Sequence, residues 1–393
     1  MGLQIWRLAT TPFKKDSIMS ILIGADIVPT ESNKAYFDSG NMQDVVGVEL
    51  LDLLSNSDYR VFNLECPLVN ADSPIQKCGP NIRADVSTVN GLKSIGVDLL
   101  TLANNHIMDH GNAGLESTIK ALEKEKITFL GVGTNLQTAT KPFLLSANGK
   151  KIGIYACVEH EFSIAEEGKP GANPFDPLES FDHVSNLKKD CDYVIVLYHG
   201  GKEHYRYPSP MLQRICRKFV EKGANLVVCQ HSHCIGCEEK YLDGTIVYGQ
   251  GNFVFNTCDG LTEQTSLLVK VGDDFRVEYI PLEKYGCGVR LAKDEMAKKI
   301  LSDFYQRSEQ IKNAGFVEDE YSKFAKNMVN GYLLTCSGYG HNFFLKIINK
   351  LCQHKLIKFL VHRFRDSELI AIRNYIECEA HRELFVRGLK ELM

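Results

Sequence analysis

Short, nearly all-apolar runs alternate along this chain with segments whose apolar residues recur three and four positions apart. The runs at 18–23, 59–64 and 97–102 are too short for helices and rich in β-branched residues, so they predict strands. Between them, 45–54 and 86–95 carry helical spacing, and 114–126 does the same ahead of a strand at 128–131. The order β-α-β-α-β-α-β predicts a mostly parallel sheet covered by helices. A second series follows, with strands at 151–158, 193–198 and 225–229, a Gly/Pro-rich loop at 159–177 and a helix at 210–222. Short runs at 245–248, 252–255, 265–271 and 275–281 are divided by turn signals. They predict antiparallel additions, with Asp273-Asp274 as a hairpin turn. From about 290 helical spacing takes over, through 301–312, 321–330, 342–364 and 367–392. A boundary near Gly286-Cys287-Gly288 thus separates a domain over 19–285 from a helical C-terminal region over 290–393.

The way these runs end changes the picture. Leu99 to Leu102 breaks into Ala103-Asn104-Asn105-His106-Ile107-Met108-Asp109-His110-Gly111, and four other strands end in a candidate ligand: Asp26, Glu65, His199 and His231-Ser232-His233. Each cluster alone reads equally as a cap or a turn. Parallel strands, however, bring their carboxyl ends to one edge, where residues distant in sequence converge. Two carboxylates, an amide oxygen and three imidazoles suit Mn, Fe, Zn or Co better than the all-oxygen preference of Mg or Ca. Paired ions about 3.5–4 Å apart can activate water and hold both oxygens of a phosphoryl centre. That leaves one imidazole over, and protonating a leaving group is its natural role.

Composition adds limits. The 393 residues allow two domains, and 44% hydrophobic with 24% charged residues is ordinary for a globular protein. A net charge of -4, with no basic stripe, speaks against a nucleic-acid partner. The thirteen cysteines are an odd number, scattered through apolar runs, as reduced cysteines of a cytoplasmic protein would be. Cys234-Ile235-Gly236-Cys237 has no second CxxC with which to form a zinc ribbon. The first twenty residues lack the apolar core of an export signal, and no window has the roughly 18 uncharged apolar residues of a membrane span, so the expectation is a cytoplasmic chain.

Six blocks stand out: Gly24-Ala25-Asp26, Asn63-Leu64-Glu65-x-Pro67, Leu102-Ala103-Asn104-Asn105-His106-x-x-Asp109-x-Gly111, His199-Gly200-Gly201-x-Glu203, His231-Ser232-His233 and Tyr248-Gly249-Gln250-Gly251-Asn252-Phe253. Together they resemble the CapA (poly-γ-glutamate capsule synthesis) family, itself similar to calcineurin-like metallophosphoesterases. The resemblance implies an α/β fold, a four-layer α/β/β/α metallophosphoesterase-like sandwich, holding two divalent ions (Mn, Fe or Zn). By the same resemblance Asp26 and His233 would bind the first ion, Glu65 would bridge, and Asn105, His199 and His231 would bind the second. His106 would be the leaving-group acid, oriented by Asp109, while Arg83, Glu203 and Asn252 would meet the substrate. One departure stands out. The superfamily usually has Asp-x-His at the first strand, and here the third residue is Val28.

The reading is a metal-dependent hydrolase of phosphoester or amide bonds, linked to capsule or poly-γ-glutamate-type polymer synthesis. Its partners would be an anionic or glutamyl polymer, or its precursor, and a capsule-synthesis membrane complex. An accessory protein that binds such a polymer or a partner subunit without turnover is the alternative. A third reading makes the C-terminal helices the working part.

Overall fold

The computed structural model describes residues 20–255, 264–338 and 364–392, with a few positions between 348 and 360. The chain divides into two compact units, Met1–Val317 and Glu318–Met393. In the first unit the strands run β1 (Ile21–Val28), β2 (Tyr59–Leu64), β3 (Leu99–Thr101) and β4 (Thr128–Leu130). Then come β5 (Val132–Gly133), β6 (Phe143–Ala147), β7 (Lys150–Val158), β8 (Gly171–Ala172), β9 (Tyr193–His199) and β10 (Leu226–Gln230). The series closes with β11 (Glu238–Tyr241), β12 (Gly244–Val247), β13 (Asn252–Phe255), β14 (Thr265–Val271), β15 (Val277–Tyr285) and β16 (Gly288–Leu291).

One sheet has the order β16-β15-β14-β1-β2-β3-β4, with β13 also pairing to β1; the other has the order β11-β12-β10-β9-β7-β6. Strands β1 to β4 are parallel in the first sheet, as are β7, β9, β10 and β12 in the second. Two of the four expected antiparallel additions are therefore parallel: β12 runs with β10, and β13 with β1. Short length hid this, because a four-residue strand carries no sequence mark of its direction. The pair β14–β15 is antiparallel, as expected, and turns through 272–276.

Side-chain alternation sorts these strands into three apolar layers. Ile21 and Ile23 of β1, with Ile195 and Leu197 of β9 and Val228 of β10, fill the space between the sheets. Leu22, Phe62 and Leu100 face the other way, onto helix residues such as Leu50, Leu92, Leu115 and Leu122. Val194, Val196 and Tyr198 pack under the helices Ser180–Asp190 and Pro210–Glu221 through Val184, Leu187, Cys216 and Phe219. Helix, sheet, sheet, helix is the four-layer α/β/β/α sandwich. The helix Asp294–Gln310 also belongs to this unit, because Ile300 and Phe304 reach the inter-sheet layer and Arg307 donates to the Gly236 carbonyl at 2.7 Å. The unit thus runs past the boundary expected near 286–290.

In the second unit, the helices Asp366–Glu377 and Glu379–Leu392 are consecutive and bury no residue fully. The helix expected at 342–364 lies almost entirely outside the described residues. No helix among the described residues is long and apolar enough to cross a membrane.

One irregularity in β1 sets the direction of Asp26. Against β2, Ile23 pairs with Val61 but Asp26 pairs with Asn63, so β1 has one residue extra. A bulge reverses the alternation beyond it. Ile21 and Ile23 face the second sheet, yet Ile27, of the same parity, packs with the helix layer, so Asp26 is turned toward the second sheet. The bulge is built on Gly24, where a Cβ would lie 2.0 Å from the Phe62 ring. Replacing Gly24→Ala is expected to cost about 1–3 kcal/mol through overpacking against that ring. Urea unfolding reads this directly, and an unchanged midpoint would contradict it.

Candidate metal centre

The carboxyl ends of β1, β2, β3, β9 and β10 meet where the sheets face each other. Asp26 lies near the end of β1 and Glu65 directly follows β2. Asn105 follows β3, His199 ends β9, and His231 and His233 follow β10. All six are buried. Ligating atoms of Glu65, His199 and His231 lie within 4.8 Å of one another, and so do those of Asp26, Glu65 and His233. Glu65 is common to both sets. Asn105 Oδ1 is 3.0 Å from His199 Nε2, so the amide adjoins the first of them.

Glu65 lacks what a buried carboxylate needs. His199 Nε2 is 3.2 Å from its Oε1 but closer, at 3.0 Å, to Asn105 Oδ1, and His231 Nδ1 is 3.9 Å away. Both Glu65 oxygens, His231 Nδ1 and Asn252 Nδ2 are buried without a hydrogen-bond partner among the described residues. Such orphaned atoms in one spot are what an ion accounts for, and the donor set fits divalent cations with an affinity for nitrogen as well as oxygen.

Electrostatics say the same. Asp26 is pushed up to about 7, by burial first and by the Glu65 charge second. Burial acts to raise Glu65 too, but the imidazoles of His199 and His231 hold it well below the usual carboxylate range. Burial lowers His199 to about 4 against the pull of Glu65, whereas at His231 the same carboxylate outweighs burial and lifts it to about 9. These groups compete for protons in one buried space, and a cation that takes carboxylate and neutral imidazole relieves the competition.

A family model described as "Bacterial capsule synthesis protein PGA_cap" matches residues 21–257, the whole stretch that builds this centre. The chain belongs to that family. Similar proteins include "Capsule biosynthesis protein CapA" of Bacillus anthracis, 31% identical over 55% of this chain and 54% of that protein. "PGA biosynthesis protein CapA" of Bacillus subtilis (strain 168) is 28% identical over 62% of this chain and 67% of that one. A "Probable polyglutamine synthesis accessory protein" of Mycobacterium tuberculosis is 27% identical over 52% and 58%. The chain thus spans about half to two thirds of the length of these relatives. Among solved structures, a hypothetical protein from Thermus thermophilus aligns with a TM-score of 0.44 at 13% identity, over 68% of this chain and 100% of that one. A novel phosphatase from Mycoplasma pneumoniae aligns at 0.42 and 14%, over 68% and 94%.

In this PGA_cap chain a second cluster adjoins the centre. His106 Nδ1 is 2.7 Å from Asp109 Oδ2, which fixes the ring. Asp109 also accepts from the Ile82 amide at 2.7 Å and from Lys77 Nζ, and its own carbonyl takes the Ile75 amide at 3.0 Å. Asp109, through its carboxylate and its own carbonyl, therefore pins the 75–82 loop at three points. Lys77, with its side chain only 2% exposed and Nζ 3.2 Å from His106 Nδ1, is the residue that sequence reasoning missed. A lone lysine in a Pro/Gly-rich loop looks like an exposed turn residue. Only its position after a ligand-bearing strand end hints otherwise.

The remaining candidates fall in different places. Arg83 is ion-paired with Asp72 and Asp85. Asn252 was expected at the substrate, but its Oδ1 lies 2.9 Å from His233 Nδ1, where it orients that ring. Glu203 stands within 4.8 Å of His231 and His233. Val28 packs in the apolar layer beneath the helices and offers no ligand. Two further residues escaped notice. Glu159, whose Oε1 accepts from the Gly201 amide at 3.0 Å, is one; Asn104, quoted in the strand-end block but given no role there, is the other, donating to Asn63 Oδ1 at 3.0 Å and to the Leu64 carbonyl at 2.8 Å.

Because Asp26 must lose its proton to bind a cation, the pH dependence has a definite sign. Without a cation, a raised folded-state pKa makes the neutral acid the favoured form. Asp26 then contributes stability that is full below about 4 and lost as pH rises through about 7. Cation binding opposes that loss. The difference in thermal midpoint between Mn-loaded and EDTA-treated protein should therefore grow between about pH 5.5 and about pH 8. His231→Ala should abolish most of it. An equal difference at both pH values, measured by scanning fluorimetry, would contradict this account.

Proposed function

We propose that this chain is a metal-dependent hydrolase acting on a phosphoester or amide bond in the production of a poly-γ-glutamate-type polymer. The observation that carries the reading is Glu65, a buried carboxylate with no hydrogen-bond donor among the described residues and shared by two ligand sets. In the roles proposed, Asp26 and His233 hold one ion, Asn105, His199 and His231 hold the other, and Glu65 bridges. Two divalent ions so held, of Mn, Fe or Zn, would supply an activated water and neutralise charge on the group attacked. The protein's own residues do the rest. His106 follows Asn105 in the chain, and Asp109 fixes its Nδ1, so Nε2 is the nitrogen that can hand a proton to a leaving oxygen or nitrogen. Lys77 and the Ile82 amide occupy the other lone pairs of Asp109 and keep it from turning away.

The family match and the names of the relatives support the polymer context. A glutamyl chain or its activated precursor is the substrate class we propose, with assembly beside a membrane-bound synthesis complex. The second reading, an accessory protein without turnover, draws on Val28, which leaves the first ion with Asp26, Glu65 and His233 alone.

The test is hydrolysis by the Mn-loaded full chain of a generic phosphodiester and of γ-glutamyl peptides. Turnover is expected to fall about 10²- to 10⁴-fold in His106→Ala with metal content unchanged, and to vanish together with the metal in Asp26→Ala. A metal-loaded protein that turns over neither substrate class would favour the accessory reading. If His106→Ala retained full turnover, the proposed acid would be wrong.

A further inference from the structure

We infer that Glu203 is a metal ligand, its carboxylate joining His231 and His233 at the mouth of the centre. This rests on the reading of the centre as a cation site. It assigns Glu203 a role other than the substrate contact expected from sequence.

Position comes first. Ligating atoms of Glu203, His231 and His233 lie within 4.8 Å of one another, a third set that overlaps both of the others through its histidines. The two are buried, and Glu203 is half-buried, so it approaches them from the solvent side. His231 Nδ1 is itself a buried nitrogen without a hydrogen-bond partner among the described residues.

The placement is also built. After His199 the chain turns through Gly201 with φ of +104°, a conformation that favours glycine. Glu159 holds the Gly201 amide at 3.0 Å, and the Gly200 amide donates to the Gln230 carbonyl at 3.2 Å. The His204 amide donates to the Ser232 carbonyl at 2.9 Å. The 200–204 loop is thus stapled to the histidine turn on both sides of Glu203. His231 and His233 meet it with φ of +85° and +53°, a rare conformation for non-glycine residues that tends to persist at functional sites.

Charge decides between substrate contact and ligand. A carboxylate facing an anionic glutamyl chain or a phosphoester would repel it. Bound to a cation, the same carboxylate is neutralised, and it adds a third negative charge to those of Asp26 and Glu65. Glu203 is the acid whose ligating atom stands with those of both His231 and His233, one histidine from each of the other two sets.

The experiment is calorimetric titration of the full chain with Mn²⁺, checked by metal analysis after dialysis, for wild type, Glu203→Gln, Glu203→Asp and, as a charge control, Glu161→Gln. In Glu203→Gln at least one equivalent should bind about tenfold or more weakly. Glu203→Asp should fall between, and Glu161→Gln should match wild type. Wild-type affinity in Glu203→Gln, with wild type itself binding Mn²⁺, overturns this inference and leaves the proposed function standing. No uptake by wild type overturns both.

Discussion

Two carboxylates wholly buried where the sheets meet set the terms for the rest of this molecule. An isolated ionised carboxylate in an apolar interior is costly by many kcal/mol unless paired, hydrogen-bonded or bound to a metal. Asp26 meets part of that cost within the protein: Asn63 Nδ2 donates to it at 2.8 Å and the His231 amide at 3.3 Å. Glu65 receives no such donor among the described residues. Its charge is met instead by the imidazoles of His199 and His231, which share one buried space with it and with Asp26 and His233, an arrangement that suits a divalent cation.

The scaffolding around that pair is a chain of amides and carboxylates that tie strand ends to one another. Asn63 links Asp26 to His199, whose Nδ1 lies 3.3 Å from the same amide nitrogen, and Asn104 in turn holds Asn63. Across the gap between sheets, Gln230 of β10 donates to the Gly24 carbonyl at 3.0 Å, and Gln250, just ahead of β13, donates to the Ile23 carbonyl at 2.8 Å, both acceptors lying next to the β1 bulge. The second sheet therefore stabilises the distortion in the first that turns Asp26 inward. Each of these polar groups is buried and paired, so the network fixes positions at little net gain in stability.

Much of this was legible in the chain. Near-continuous apolar runs in a β/α order are the mark of parallel strands buried on both faces, and residues at their carboxyl ends must share an edge. Asp26, Glu65, Asn105, His199, His231 and His233 could be picked out on that ground. What stayed hidden depends on information a linear pattern lacks. The direction of β12 and β13 follows from which neighbour they join. The bulge at Gly24 looks like any glycine in a strand until Phe62 is seen against it. Lys77 has no periodicity to mark it, since its position comes from Asp109 reaching back to a loop about thirty residues earlier. The helix Asp294–Gln310 reads as part of the helical tail because sequence shows its amphipathicity but not which core its apolar face meets.

The basic residues of the 71–85 loop bear on how an anionic substrate could bind at all. Lys77 is held by Asp109, and Arg83 by Asp72 and Asp85, so both are already matched with carboxylates. The centre itself is acidic through Asp26 and Glu65, with Glu203 at its mouth. Left as it is, such a field repels phosphate and glutamate alike. Divalent cations invert the sign of the local charge, which is how metal sites commonly reverse the behaviour of the groups around them. On the readings proposed above, recognition of an anionic polymer would need the ions as much as its cleavage would. The hydrolase and the accessory reading part only afterwards, at His106, whose Nε2 has a task in one and none in the other.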